Sequence, residues 1–141
     1  MTLTPDTSVV VPALDGSHES HELVAAFLEQ ASEMRLIAQV ALETYHVLTR
    51  VRPYRRLPSS GVVRALRSTF PGPLIGLPPE QMWELVDHAP ETGILGGAIF
   101  DAFIAASART AGLRLLSGDH RAAATYSALG AEYELLPVSG R

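Results

Sequence analysis

Short apolar runs and helical patterns alternate along this chain, and the alternation predicts an α/β fold. Apolar residues at helical spacing, together with capping residues and glycine or proline stops, predict helices at residues 18–32, 38–51, 59–69, 79–88, 97–111 and 121–129. Short apolar runs predict strands at residues 34–37, 74–77, 113–116 and 133–136. Short apolar strands that alternate with helices are typical of a parallel sheet covered on both faces. We therefore expect a three-layer α/β/α fold with a central parallel sheet.

The predicted helix 38–51 carries two apolar stripes, which leave the position of one acidic residue open. Its main core face is predicted to comprise Ala38, Ala41, Leu42, Tyr45 and Leu48. Glu43 lies at the border between this face and a second stripe that contains Val40 and Val47.

No internal repeat, low-complexity tract or linker divides the 141 residues. The stretch 70–79, rich in proline and glycine, is too short to separate two domains. We expect a single domain over residues 1–141.

Composition excludes several chemistries. Hydrophobic residues make up 47% of the chain and charged residues 18%, as in a compact globular protein. The absence of cysteine removes disulfides, thiolate catalysis and cysteine-bound metals, and it suits a reducing cytosol, so we expect a cytoplasmic protein. Residues 1–13 do not resemble a signal peptide, and the most apolar stretch, 94–108, is too short to cross a bilayer, so we expect no membrane association.

All eleven basic residues are arginine, and this excludes mechanisms that need lysine. Receiver domains, haloacid-dehalogenase-like phosphatases and P-loop enzymes all use a lysine, and the chain also lacks the P-loop glycine pattern. The net charge of −4 argues against a nucleic-acid partner, unless bound cations reverse the local field around carboxylates.

Asp101 stands in a helix that is apolar nearly all round. An uncompensated charge there would cost several kcal/mol, so the carboxylate needs a cation, strong hydrogen bonds or a proton. The alternative is an aspartate that points into a solvent-filled groove or pairs with an arginine, and the residue alone does not decide between them.

Three further acids add to this pattern. Asp119 follows a predicted strand, at the edge where open α/β sheets bind ligands, although a helix cap is the commoner role there. Asp6 could also be a cap, and Glu43 could simply be exposed. Together, Asp6, Glu43, Asp101 and Asp119 lie on four elements that a parallel sheet could bring to one edge, and clustered carboxylates suit Mg²⁺ or Mn²⁺.

The segments around these acids resemble the PIN-domain family, in particular its VapC-type members. The most specific are 99–108 (IFDAFIAASA) and 112–119 (GLRLLSGD), with similar pieces at 6–8 (DTS), 41–50 (ALETYHVLTR) and 126–131 (YSALGA). Two departures stand out: Thr4 and Pro5 interrupt the apolar strand expected before Asp6, and Gly118 is smaller than the residue usual before the last acid.

The resemblance implies a Mg²⁺- or Mn²⁺-dependent ribonuclease, the toxin of a toxin–antitoxin pair, that hydrolyses RNA phosphodiester bonds. It implies that Asp6 and Asp101 bind metal directly, with Glu43 and Asp119 in an outer or second-metal role. Thr7, Ser8 and Ser117 would hydrogen-bond the carboxylates or the attacking water. A cognate antitoxin and a homodimer are also implied. The alternative is a catalytically inactive PIN-like scaffold that binds RNA or a protein partner.

Basic and imidazole side chains give a weaker signal. Arg50, Arg52, Arg55 and Arg56, interleaved with Tyr54, could bind RNA phosphates, or they could form a solvated basic loop. The five histidines show no metal-ligand spacing, although His120 is adjacent to Asp119.

Overall fold

The computed structural model describes residues 2–31, 33–50 and 57–138. The three strands are β1 (Leu3–Pro5), β2 (Arg114–Ser117) and β3 (Tyr133–Leu135). The helices are α1 (Thr7–Leu14), α2 (His21–Glu29), α3 (Ala38–Thr49), α4 (Ser59–Thr69), α5 (Pro79–His88), α6 (Ala98–Ala111) and α7 (His120–Ala128), with a 3-10 turn at Ala89–Thr92. No helix in these ranges is long and apolar enough to span a membrane.

The sheet is parallel throughout, in the order β1-β2-β3. Thr4 of β1 pairs with Leu115 of the central strand, and Leu115 in turn pairs with Tyr133 of β3. The predicted α/β/α fold with a central parallel sheet is confirmed. Because all three strands run the same way, the residues that follow β1 and β2 meet at one edge, and Asp6 and Asp119 lie there.

Leu115 and Leu116 of β2 point to opposite faces of the sheet, because successive side chains on a strand alternate between the two faces. Each leucine belongs to a different apolar cluster. Leu115 packs with Val40, Ile104 and Tyr126 in the larger apolar cluster, which draws on α3, α4, α6 and α7. Leu116 packs with Val9 and Val24 from α1 and α2 in the smaller one. Helices therefore cover the sheet on both sides.

Pro5 lies within β1 without interrupting its pairing to β2. The N–H of Leu3 donates to Glu33 and that of Asp6 donates to Leu116, so the two residues use opposite edges of the strand. Pro5 lies two residues after Leu3, so its nitrogen points to the same side of the strand as that of Leu3, away from β2. The pairing with β2 therefore does not need the N–H that proline lacks. The strand before Asp6 is therefore short but correctly placed.

Helix α1 was missing from the sequence prediction. Its β-branched run at residues 9–11 and its internal Pro12 both disfavour a helix in isolation. Two effects offset this preference: Asp6 caps the helix through the Ser8 N–H, and Val9 and Val10 are fully buried in different apolar clusters. Tertiary burial therefore decides the conformation of this segment.

The predicted strands at 34–37 and 74–77 are wrong. Only isolated bridges form there, between Met34 and Leu3 and between Ile37 and Ile75. The N–H of Arg35 donates to Leu3, but the next bonds join Leu36 and Ala38 to Ile75 instead. The segment thus leaves β1 after one bridge, and α3 begins at Ala38 before a ladder can form.

The predicted core face of α3 is also wrong. The buried residues are Val40, Thr44 and Leu48, whereas Leu42 is 68% exposed and Tyr45 is 42% exposed. The helix packs against α1 and α4, and Val40 of the second stripe is fully buried whereas Val47 is half-buried. Of the residues assigned to the main face, only Leu48 is fully buried.

Gly118 is explained by a close approach of the C-terminal segment. The N–H of Leu136 donates to the carbonyl of Ser117 at 2.7 Å, which brings the chain after β3 across the end of β2. A Cβ placed on Gly118 would lie 2.6 Å from Cβ of Val138. The chain therefore has glycine at the position where the family pattern has a larger residue.

We predict that Gly118→Ala lowers the free energy of unfolding by about 1–3 kcal/mol, because the added methyl group overlaps Val138. Chemical denaturation measures the change. Gly16→Ala is the matched control, since a Cβ there meets nothing within 4 Å. Equal stability of the two variants would contradict the close approach.

Candidate active site

Asp6 is a buried acid at the carboxyl end of β1, with only 4% of its surface exposed. Its Oδ1 accepts hydrogen bonds from the Ser8 N–H (3.0 Å) and the Ser8 hydroxyl (2.5 Å). Its Oδ2 accepts one from the Tyr126 hydroxyl (2.7 Å). Burial raises the pKa of Asp6, while the hydroxyls of Ser117, Ser8 and Tyr126 and the Ser8 N–H act in the opposite direction. The hydrogen bonds thus favour the carboxylate in a site that disfavours charge.

Two backbone amides just after β2 orient the serine hydroxyls. The N–H of Gly118 donates to Ser8 Oγ at 2.7 Å, and the N–H of Asp119 donates to Ser117 Oγ at 3.0 Å. The oxygen of each serine hydroxyl accepts a hydrogen bond from one of these amides. Its single proton is therefore available to donate to Asp6. The end of β2 therefore fixes the donors that surround the acid at the end of β1.

Asp119 caps α7 while remaining partly exposed. Its Oδ1 accepts from the N–H groups of Arg121 (2.9 Å) and Ala122 (3.3 Å). Its Oδ2 lies 3.8 Å from the Arg121 guanidinium, whose side chain is 93% exposed, so solvent screens this pair. One carboxylate oxygen holds the helix, and the other has only a weak partner in Arg121.

Glu43 is tied to the start of α1. Its Oε1 accepts from the Thr7 hydroxyl (2.5 Å), and its Oε2 accepts from the Gln39 amide (3.1 Å). Thr7 follows Asp6 directly, so the hydrogen bond fixes Glu43 relative to the buried acid. The half-buried glutamate thus belongs to the same edge of the sheet.

Asp101 interacts electrostatically with each of the other three acids. Burial, together with the negative charges of Asp119, Glu43 and Asp6, raises the pKa of Asp101 to about 6, and the charge of Arg121 opposes the rise. The four acids that the sequence singled out are therefore close enough to repel one another. They come from the ends of β1 and β2 and from α3 and α6.

The chemistry of this cluster fits a hard divalent cation. Its donors are carboxylate and hydroxyl oxygens, and its excess negative charge is what such an ion offsets. In the described part of the chain, no three acidic or histidine side chains already form a metal site.

An open groove of about 1120 Å³ adjoins the cluster, with Thr7, Ser8, Gly118 and Asp119 in its wall. Its basic and imidazole side chains are Arg50, Arg121, His18 and His120. Of the predicted arginine cluster, Arg50 lines this groove, and Arg52, Arg55 and Arg56 lie outside the described residues. The groove could hold a polyanion beside the acids.

Two contacts of the site were absent from the sequence prediction. Gln39, one helical turn before Glu43, could have been found from its four-residue spacing. Tyr126 lies seven residues after Asp119, on the same side of α7, but a tyrosine among alanines is more simply interpreted as a core residue.

Comparison with known proteins agrees with this geometry. A family model described as the PIN domain matches residues 3–127. The ribonuclease VapC40 of Mycobacterium tuberculosis is 37% identical over 134 residues, which cover 95% of this chain and 98% of the relative. The chain belongs to the PIN-domain family. The family predicted from the sequence is thereby confirmed.

Further relatives of this PIN-domain protein extend the comparison. The ribonuclease VapC27 of M. tuberculosis is 34% identical over 132 residues, covering 91% of this chain and 92% of the relative. The crystal structure of VapBC2 from Rickettsia felis, bound to a DNA fragment from their promoter, superposes with a TM-score of 0.66. It covers 96% of this chain and 99% of the other at 14% identity, which supports the fold alone. PIN-domain ribonucleases generally depend on a divalent metal.

We predict that Asp101→Asn stabilises the protein in EDTA at pH 7, by about 1–2 kcal/mol after solvent screening. Because the folded pKa is raised, the native state binds more protons than the unfolded state between pH 4 and 6. The wild-type protein therefore loses stability as pH rises through this window, and the amide does not. Denaturation at pH 4 and pH 7 measures the difference.

Asp87→Asn, at an exposed position on α5, is the control for this comparison. It makes the same chemical change outside the acidic cluster. A stabilisation by Asp101→Asn that is equal at both pH values would contradict repulsion among the four acids.

Proposed function

We propose that this PIN-domain protein is a Mg²⁺- or Mn²⁺-dependent endoribonuclease that acts in the cytoplasm as the toxin of a toxin–antitoxin pair. The observation that carries the proposal is the meeting of Asp6, Glu43, Asp101 and Asp119 at the carboxyl edge of the sheet, where burial and then the charges of the other three acids raise the pKa of Asp101. The names of the relatives VapC40 and VapC27, both ribonucleases, support the reaction class.

In this proposal Asp6 and Asp101 bind a divalent ion directly. Glu43 and Asp119 bind a second ion or the water around the first, while Ser8, Ser117 and Thr7 orient the carboxylates. A divalent ion bound there supplies an activated water and offsets negative charge on the phosphate. Asp6 contributes a carboxylate whose rotation its hydrogen-bond donors prevent, so its orientation does not depend on the substrate.

The RNA strand is proposed to lie in the groove beside Asp119. Arg50 and Arg121 can neutralise phosphates there, and His18 and His120 supply rings and donors near the backbone. Whether Arg52, Arg55 and Arg56 extend this surface remains a prediction. The acidic cluster would repel RNA phosphates without a cation, so metal and substrate binding should be coupled.

We expect the protein to cleave a mixed cellular RNA pool with Mg²⁺ or Mn²⁺ and to leave it intact in EDTA. Asp101→Asn should lower the cleavage rate by at least about a hundredfold, because removing one carboxylate weakens metal binding and charge stabilisation. Gel analysis of the RNA with time measures the rate. Asp87→Asn makes the same chemical change outside the site and should retain full activity.

The alternative function, an inactive PIN-like scaffold, predicts a different result. Neither wild type nor Asp101→Asn would then cleave any of several RNAs, although both would be folded. Cleavage that is equal in wild type and variant would instead exclude Asp101 from the reaction and overturn the proposed site.

A cognate antitoxin is the proposed protein partner. The solved VapBC2 structure, bound to a DNA fragment from their promoter, is similar to this chain in fold. Leu42 and Tyr45 are exposed three residues apart on one face of α3, the helix that also carries Glu43, so this helix offers apolar contacts to a partner. An antitoxin that packs there could place a basic side chain among the carboxylates and block the groove.

A homodimer is proposed through α5. This helix has no buried residue, and it exposes Met82, Trp83 and Val86 at 46%, 68% and 51%. A helix with such side chains in contact with water is stabilised when another surface covers it. We propose that a second copy of the chain does so.

We predict that Trp83→Glu raises the dimer dissociation constant more than about tenfold, since a tryptophan at an interface centre contributes strongly. Light scattering after size-exclusion chromatography measures the mass. Val63→Glu, which alters an exposed valine on α4, is the matched control and should remain dimeric. A Trp83→Glu dimer of unchanged affinity would remove α5 from the interface.

A further inference from the structure

The hydroxyl of Tyr126 makes a contact to which the proposed reaction assigns no role. It donates to Oδ2 of Asp6 at 2.7 Å, and the tyrosine is only 1% exposed. The rest of the ring lies in the larger apolar cluster, with the ring of Tyr133 6.1 Å away in an edge-on arrangement. A buried phenol thus points at the least exposed of the four acids.

The hydrogen bonds divide the two oxygens of Asp6. Oδ1 accepts from both the N–H and the hydroxyl of Ser8, which uses its two lone-pair directions. Oδ2 accepts from Tyr126, and the Ser117 hydroxyl is a further donor to the same carboxylate. The phenol is therefore the donor from α7 that holds Oδ2 in place.

Helix α7 links this contact to a second acid. Asp119 caps the helix and Tyr126 lies seven residues later, which is two turns or about 10 Å along the axis. The same rigid helix thus places Asp119 at the rim of the site and the phenol beneath Asp6. A change in the pose of α7 would move both groups together.

We propose that Tyr126 is a positioning residue that fixes Oδ2 of Asp6 for a divalent cation. The inference rests on the proposed metal-dependent function. A purely structural role would make the phenol a satisfied core group that contributes only to stability. The two roles differ in one measurable quantity, because only positioning makes the affinity for the cation depend on the hydroxyl.

The test compares Tyr126→Phe with wild type by calorimetric titration with Mn²⁺ alone, in the absence of RNA. Phenylalanine keeps the ring in the apolar cluster and removes only the hydroxyl. We expect the dissociation constant for Mn²⁺ to rise about 10- to 100-fold, as when a hydrogen-bond partner of a metal ligand is lost. RNA cleavage should weaken at low Mn²⁺ and recover within a few-fold of wild type at saturating Mn²⁺.

Tyr133→Phe is the matched control. It removes a hydroxyl group from the neighbouring ring. The oxygen of that group accepts a hydrogen bond from the Ser127 hydroxyl at 3.1 Å, away from the acidic cluster. We expect its Mn²⁺ affinity to equal that of wild type. Thermal unfolding of all three proteins in EDTA reports on folding separately.

Each result is decisive. Unchanged Mn²⁺ affinity in a folded Tyr126→Phe variant overturns the positioning role and leaves the proposed function intact. A Tyr126→Phe variant that is unfolded in EDTA shows that the hydroxyl acts in folding, and it also overturns the proposal. Absence of Mn²⁺ binding by the wild-type protein refutes the metal-dependent function itself, and the positioning role with it.

Discussion

The burial of a carboxylate at the end of β1 is the constraint around which the rest of this site is arranged. An ionised acid with little access to water needs hydrogen-bond donors, and Asp6 receives them from Ser8, Ser117 and Tyr126. These donors come from α1, β2 and α7, so satisfying one acid requires three elements to be in place. The same parallel pairing that joins β1 to β2 brings the amide of Gly118 within reach of Ser8, while the amide of Asp119 binds Ser117 within the turn after β2.

Asp101 shows the opposite balance. The negative charges of three nearby acids disfavour the ionised form of Asp101, and the positive charge of Arg121 favours it. The site therefore combines a carboxylate that the protein holds in one orientation with one whose ionised form it destabilises. Such a combination favours a cation, because the ion relieves the repulsion among the acids and finds one ligand already oriented.

Sequence reasoning worked where local chemistry and the fold agree. Gly112 adopts a left-handed conformation and ends α6, and Asp119 starts α7, so these boundaries could be read directly from the residues. It failed where packing decides: α1 forms despite valines and a proline, and α3 buries Val40, Thr44 and Leu48 instead of its predicted face. The four acids were recognisable because charge is conspicuous in apolar surroundings. Tyr126 was not recognisable, because the sequence pattern of a tyrosine that only packs in the core is the same as that of one whose hydroxyl also hydrogen-bonds a site residue.

Asp6 and Asp119 each combine two properties in one side chain, a helix cap and a negative charge. Asparagine caps a helix about as well as aspartate does, so an amide at position 119 preserves the start of α7, whereas at position 6 its NH2 group would face one of the donors to Asp6. Architecture and charge are thus separable by a single substitution. A related protein could therefore lose this negative charge and keep its fold. Such a protein would be inactive but could still occupy the binding surface of a partner.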